Sequence, residues 1–131
     1  MPTVYSPIPP ETETLIHDTI GCCIAVHQAL GPGLLEVIYS RAIGLELTAA
    51  GIQFECEKAY PVIYRGQLLC EQHLDFVVGM AIVLEIKSVD LLASVHHAQL
   101  LNYMRVSSLR AGLLVNFNVA VLKDGLARKV R

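Results

Sequence analysis

Three charged side chains interrupt stretches that are otherwise largely apolar. Asp75 stands in HLDFVV, and Glu85 and Lys87 stand two residues apart in VLEIKS. Charged groups are almost never fully buried unless they are paired or bound to something. Strand side chains alternate, so Glu85 and Lys87 project from one face while Ile82, Leu84 and Ile86 face a core. If the two stretches pair as a hairpin around Gly79-Met80, Asp75 and Glu85 lie on adjacent strands, and their carboxylates can meet. Two such carboxylates repel, and each tends to hold a proton unless a cation compensates. A hard divalent ion such as Mg2+ does so with oxygen ligands, one or two carboxylates plus waters and substrate phosphate. A lysine beside it can orient or deprotonate a water and stabilise developing charge. These residue types therefore suit phosphodiester hydrolysis. The spacing alone equally allows a salt bridge between Lys87 and one of the acids.

The elements that must position these residues follow from periodicity. Residues 1–10 hold four of the six prolines and read as an extended arm. A helix begins near Glu11 to Thr14, where acids suit a helix N-terminus, and Gly31-Pro32-Gly33 stops it. A second helix runs from about Leu34 to Ala50 and closes at Gly51. The period then changes from 3.6 to 2. Phe54 to Tyr64 and Leu68 to Val78 read as a hairpin turning at Arg65-Gly66, and Ala81 to Lys87 as a third strand. A helix over Ser94 to Val106 leads to Ala111–Phe117, which is apolar on both faces and reads as a central strand. Val119 to Leu122 and the basic tail LARKVR read as an edge strand or a short helix. The order α-α-β-β-β-α-β predicts an α/β fold, a small mixed sheet flanked by helices. Residues 11–131 are expected to form a single domain.

Composition narrows the function classes. A content of 53% apolar and 17% charged residues excludes disorder for the bulk of the chain. The net charge of −2 offers no global positive field to steer nucleic acid. Arg105, Arg110, Lys123, Arg128, Lys129 and Arg131 read as a solvated surface or as a local rim for phosphates. No stretch is apolar enough to span a membrane, and the N-terminus lacks the features of a secretory signal, so the cytoplasm is the expected location. Cys22, Cys23, Cys56 and Cys70 show no metal-binding spacing and read as small buried hydrophobes. His27 falls on the apolar face of the first helix and reads as a satisfied core histidine.

The pattern from Leu74-Asp75 to Glu85-Ile86-Lys87 resembles the PD-(D/E)xK signature of a large nuclease superfamily. GLLEVIY, Gly33 to Tyr39, resembles the GxxExxY motif of one small family within it, as does GLLVNF, Gly112 to Phe117. AQLLNYM, Ala98 to Met104, resembles the QxxxY motif of the RecB-like and lambda-exonuclease-like branch. The likeness covers about residues 14–118. It implies a restriction-endonuclease-like core and a Mg2+- or Mn2+-dependent nuclease, with DNA favoured over RNA. Asp75 and Glu85 would be metal ligands, joined by the Ile86 carbonyl and by Glu36 from the second helix. Their carboxyl oxygens would converge on one ion-sized space. Lys87 would be the catalytic lysine. Gln99 and Tyr103, which share a helix face, would brace the site or contact a nucleotide, as would Tyr39, placed on the face of Glu36. The alternative is a non-catalytic module of the same fold that binds nucleic acid or a protein partner. With no appended DNA-recognition domain and weak charge steering, the chain is expected to act as a homo-oligomer or within a larger complex.

Overall fold

The computed structural model describes residues 8–131. Most of the expected N-terminal arm therefore lies outside the described residues. Its last residue is already helical, because Pro10 opens helix α1 (Pro10–Leu30). Proline suits the first helical turn, where its missing N–H has no partner to lose. Glu11 and Glu13 add negative charge to the same turn. Gly31 ends α1 with φ of +67° and donates its N–H to the His27 carbonyl at 2.8 Å. Helix α2 spans Glu36–Ala49.

Strands β1 (Phe54–Tyr64) and β2 (Gln67–Val78) form the expected hairpin. Its turn, Arg65-Gly66, has φ of +50° and +76°, the left-handed pair that matches the natural strand twist. Strand β3 (Ile82–Lys87) pairs antiparallel with β2 and parallel with β4 (Ala111–Asn116). Parallel neighbours need a crossover, and α3 (Ser94–Ser107) supplies it. The tail resolves into both expected alternatives. A short 3-10 turn at Leu122–Gly125 precedes an edge strand β5 (Leu126–Val130), giving sheet order β1-β2-β3-β4-β5.

Two cores sandwich the sheet. Helices α1 and α2 cover one face, where Ile82, Leu84 and Ile86 pack with Ile16, Tyr39, Ile43, Leu47 and Phe117. Helix α3 covers the other, where Val83 and Leu114 meet Leu100 and Met104. The alternation expected for β3 is thus realised, and Glu85 and Lys87 belong to the α3 side by parity. Among the described residues no helix is long and apolar enough to cross a membrane. The cysteine expectation needs correcting by half. Cys22 and Cys23 are buried, but Cys56 and Cys70 are exposed: both lie on the β1–β2 hairpin, where Cys56 lines an open hollow beside α2.

Candidate active site

Strand β2 reaches the site irregularly. Leu74 and Val77, three residues apart, both join the α3-side core, which strict alternation does not allow. Opposite this point on β1, Glu57 carries a φ of +52°. Asp75 sits at the irregularity, half-buried.

The β2–β3 ladder runs from Val78 and Ile82 to Phe76 and Leu84, which places Asp75 beside Glu85 at the next step. There side chains replace backbone carbonyls as acceptors. Glu85 Oε1 accepts the Asp75 N–H at 3.1 Å, and Asp75 Oδ2 accepts the Ile86 N–H at 2.9 Å. Each carboxylate is thereby pinned to the strand carrying the other. Glu85 is only 4% exposed. Burial, and then the negative charge of Asp75, push its carboxyl up to about 8, opposed by an Asp75 backbone hydrogen bond and by Lys87. The two carboxylates thus belong to neighbouring residues of one strand pair, each held on a backbone N–H of the other strand. A pair in this condition favours a bound cation.

Lys87 is half-buried at the end of β3. It takes no part in the ion pairs found among the described residues, which join His17 to Asp18, Lys58 to Glu55 and Arg128 to Glu13. Its ammonium instead donates to Gln99 Oε1 at 3.5 Å, across to α3. The plain salt bridge that the spacing allowed is therefore absent. Tyr103, one helical turn beyond Gln99, has its phenol pushed up by burial and by the charges of Glu85 and Asp75. Gln99, Tyr103, Asp75, Glu85 and Lys87 thus lie in one neighbourhood.

Glu36 opens α2 at the rim of this neighbourhood and is exposed. Partial desolvation raises its carboxyl; Lys87 and His96 lower it, and Asp75 raises it. It feels the site electrostatically without joining a cluster. Among the described residues, no three His, Cys, Asp or Glu side chains gather as an ion-holding group. The expected convergence of Glu36, Asp75 and Glu85 is therefore not present in this conformation. The physical reason is visible: the Asp75 and Glu85 carboxylates are turned onto backbone N–H groups of each other's strand. The donor set nonetheless fits a hard ion, since Mg2+ takes one or two carboxylates and completes its shell with water.

Tyr39 packs into the core on the α1–α2 side of the sheet. It is fully buried while Glu36 is exposed, so the two do not present a common face to a substrate. Its hydroxyl donates to the Gly31 carbonyl at 2.5 Å and accepts the Leu34 N–H at 3.1 Å, and its ring stacks on Phe117 at 4.6 Å. These contacts tie Tyr39 to the loop before α2 and to the residue that follows β4. His27 is buried, and its Nε2 hydrogen-bonds the Val119 carbonyl at 2.8 Å, as expected of a core histidine. His96 Nδ1 accepts the Ala93 N–H at 2.9 Å and so caps α3.

Two residues near Lys87 escaped the sequence reading. Asn116 is 2% exposed and pairs with Lys87 in the parallel ladder. Its Oδ1 accepts the Val89 N–H at 3.0 Å, and its Nδ2 donates to the Val89 carbonyl at 2.9 Å. Ser88 donates its hydroxyl to the Leu34 carbonyl at 2.6 Å. An asparagine inside the apolar run AGLLVN was the available signal for the first. Nothing in the sequence singled out Ser88. Of the basic residues considered as a rim, Arg105, Arg110 and Arg131 surround a hollow of about 360 Å3. It adjoins the start of β4, whereas Lys87 adjoins its end. Arg128 is engaged by Glu13.

No curated protein and no solved structure matches the chain. A family model described as the PD-(D/E)XK nuclease superfamily matches residues 13–129, nearly its whole length. The acid pair, the lysine two residues on and the mixed sheet that presents them agree with that match, and the chain belongs to the PD-(D/E)XK nuclease superfamily.

Proposed function

We propose that this protein is a divalent-metal-dependent nuclease that hydrolyses phosphodiester bonds, with DNA as its substrate in preference to RNA. The observation that carries the reading is the pairing of buried Glu85 with half-buried Asp75, each carboxylate hydrogen-bonded to a backbone N–H of the other's strand, with Lys87 two residues beyond Glu85. A carboxyl pushed up to about 8, by burial first and by a second acid next, is a costly arrangement that a structural strand does not need. Asp75 and Glu85, with the Ile86 carbonyl, would hold Mg2+ or Mn2+, and Glu36 would complete the set from α2. When bound, such an ion polarises a phosphoryl oxygen and offsets the charge that develops there.

The remaining work falls to the chain itself. Lys87 donates hydrogen bonds to the scissile phosphate or to the attacking water, and its charge stabilises the transition state. Gln99 holds the ammonium in place from α3. Tyr103 offers a neutral hydroxyl at the same edge. The likeness of AQLLNYM to the QxxxY motif of the RecB-like and lambda-exonuclease-like branch supports DNA, and GLLEVIY supports placement in the GxxExxY family. Residues 11–131 work as one domain, in the cytoplasm, as a homo-oligomer or within a larger complex.

A second reading has one observation in its favour, the absence of a gathered three-acid cluster among the described residues. It makes the protein a non-catalytic module that binds nucleic acid or a protein partner. Cleavage assays on single- and double-stranded DNA and RNA, with and without Mg2+ or Mn2+, separate the two. Metal-dependent cleavage should fall by about 100-fold or more in Lys87→Ala and in Glu85→Ala. Cleavage unchanged in both variants would place the activity elsewhere. Calorimetric titration with Mn2+ that produces no heat at millimolar ion would favour the module.

A further inference from the structure

The two elements that carry the candidate site are 54 residues apart in sequence where they touch. Glu36 opens α2, and Lys87 ends β3. Neither side chain contacts the other, so their relative placement depends on what joins the elements behind them. Four contacts do this, and they close on themselves. Ser88, directly after Lys87, donates its hydroxyl to the Leu34 carbonyl at 2.6 Å. The Leu34 N–H donates to the Tyr39 hydroxyl at 3.1 Å, across the first turn of α2. The Tyr39 ring stacks on Phe117 with centroids 4.6 Å apart and planes 16° from parallel. The Phe117 N–H donates to the Lys87 carbonyl at 2.9 Å, which returns the path to its start.

Each contact is buried or half-buried, where a lost partner leaves a polar group unsatisfied. Asn116 fastens the same corner from the next position of β4, gripping both the N–H and the carbonyl of Val89. A Tyr39 that served only to fill the core would not need its hydroxyl. Here that hydroxyl is satisfied twice, on Gly31 and on Leu34, and so fixes the loop that leads into Glu36.

We propose that Tyr39, Ser88 and Phe117 form a closed ring of contacts that sets Lys87 against the Glu36 end of α2, and that they act as positioning residues, with Asn116 pinning the ring at Val89. The functional part of this inference rests on the nuclease reading above; the coupling of the two segments does not. Misplacing a reacting group by about 1 Å can cost on the order of 100-fold in rate, so a device that fixes two elements can matter without touching substrate.

The test uses Ser88→Ala, Tyr39→Phe and the hydroxyl-retaining Ser88→Thr, each in the full chain. Amide hydrogen exchange without metal should quicken together at residues 31–36 and 87–89 in Ser88→Ala and in Tyr39→Phe, and far less in Ser88→Thr. In Mn2+-dependent DNA cleavage, Ser88→Ala should lower kcat by about tenfold or more. Its Kd for DNA, measured in Ca2+, should stay within about twofold of the parent, and Ser88→Thr should recover the rate. Exchange that quickens in one segment only, or in neither, overturns the ring. Coupled exchange with an unchanged kcat overturns the positioning role. If the parent protein cleaves nothing, the nuclease reading fails by itself, and the exchange result alone still decides the ring.

Discussion

Glu85 holds an acid where water cannot reach it easily, and that has a thermodynamic signature. Its carboxyl is raised from an ordinary 4.5 to about 8 in the folded chain, by burial first and by Asp75 second. Below about pH 4.5 both folded and unfolded chains carry the proton, and the group is neutral in its effect. Between that pH and about 8 the unfolded chain has released the proton while the folded chain keeps it. Stability without metal should therefore fall as pH rises through this window. Glu85→Gln, similar in shape and uncharged, should flatten the fall in Tm, and Mn2+ should raise the Tm of the parent most at the alkaline end. Parallel pH profiles for the parent and Glu85→Gln would remove the basis of this account. At this scale the sequence was informative where a charge interrupts an apolar strand. Asp75, Glu85 and Lys87 announce themselves that way. Ser88 does not, because a serine after a strand is common and its partner Leu34 lies in a distant loop. Tyr39 was noticed for its spacing from Glu36, yet burial beneath the sheet decided its role.

The elements were legible wherever the hydrophobic period was long and the turn chemistry sharp. The hairpin turn at Arg65-Gly66 and the stop at Gly31 fell where expected, and the three helices differ from expectation by a few residues at their ends. The tail was less legible, since LARKV is short and its basic residues suit a strand or a helix equally. Tertiary pairing with β4 settles it as β5. What no local pattern shows is how tightly the turn before β5 packs. A Cβ added at Gly125 would lie inside van der Waals distance of the Asn116 carbonyl oxygen. That atom belongs to backbone and cannot swing away. Gly125→Ala should therefore cost about 1–3 kcal/mol, read from denaturant melts. Because Asn116 grips Val89 beside Lys87, it should also lower cleavage more than a control such as Gly21→Ala, whose added Cβ meets nothing within 4 Å. Equal losses in the two variants would separate the turn from the site.

At the scale of the whole molecule, the mixed sheet does two jobs with one arrangement. Its central pair, β3 and β4, is buried on both faces and fixes the lysine, while the β1–β2 hairpin runs on past β3 towards solvent. The fold class was readable because the switch from helical to strand period, followed by a helical crossover, leaves few topologies. That Asp75 and Glu85 lie on adjacent strands was readable from the hairpin, but their carboxylates' hydrogen bonds to backbone N–H groups were not, because they depend on the β2–β3 register, which no spacing encodes. That hairpin has another consequence. Its tip exposes Ile63, Tyr64, Leu68 and Leu69, and β1 lies at the edge of the sheet. A long apolar edge strand is a template on which copies of a chain can stack into fibres. Pro61 within β1 has no N–H to offer an incoming strand, and the left-handed backbone at Glu57 breaks the row a second time. Pro61→Thr should leave the Tm close to the parent's while shortening the lag before thioflavin-positive aggregates form at high protein concentration. An unchanged lag would mean that the exposed tip, rather than the edge, governs how long this protein stays dispersed.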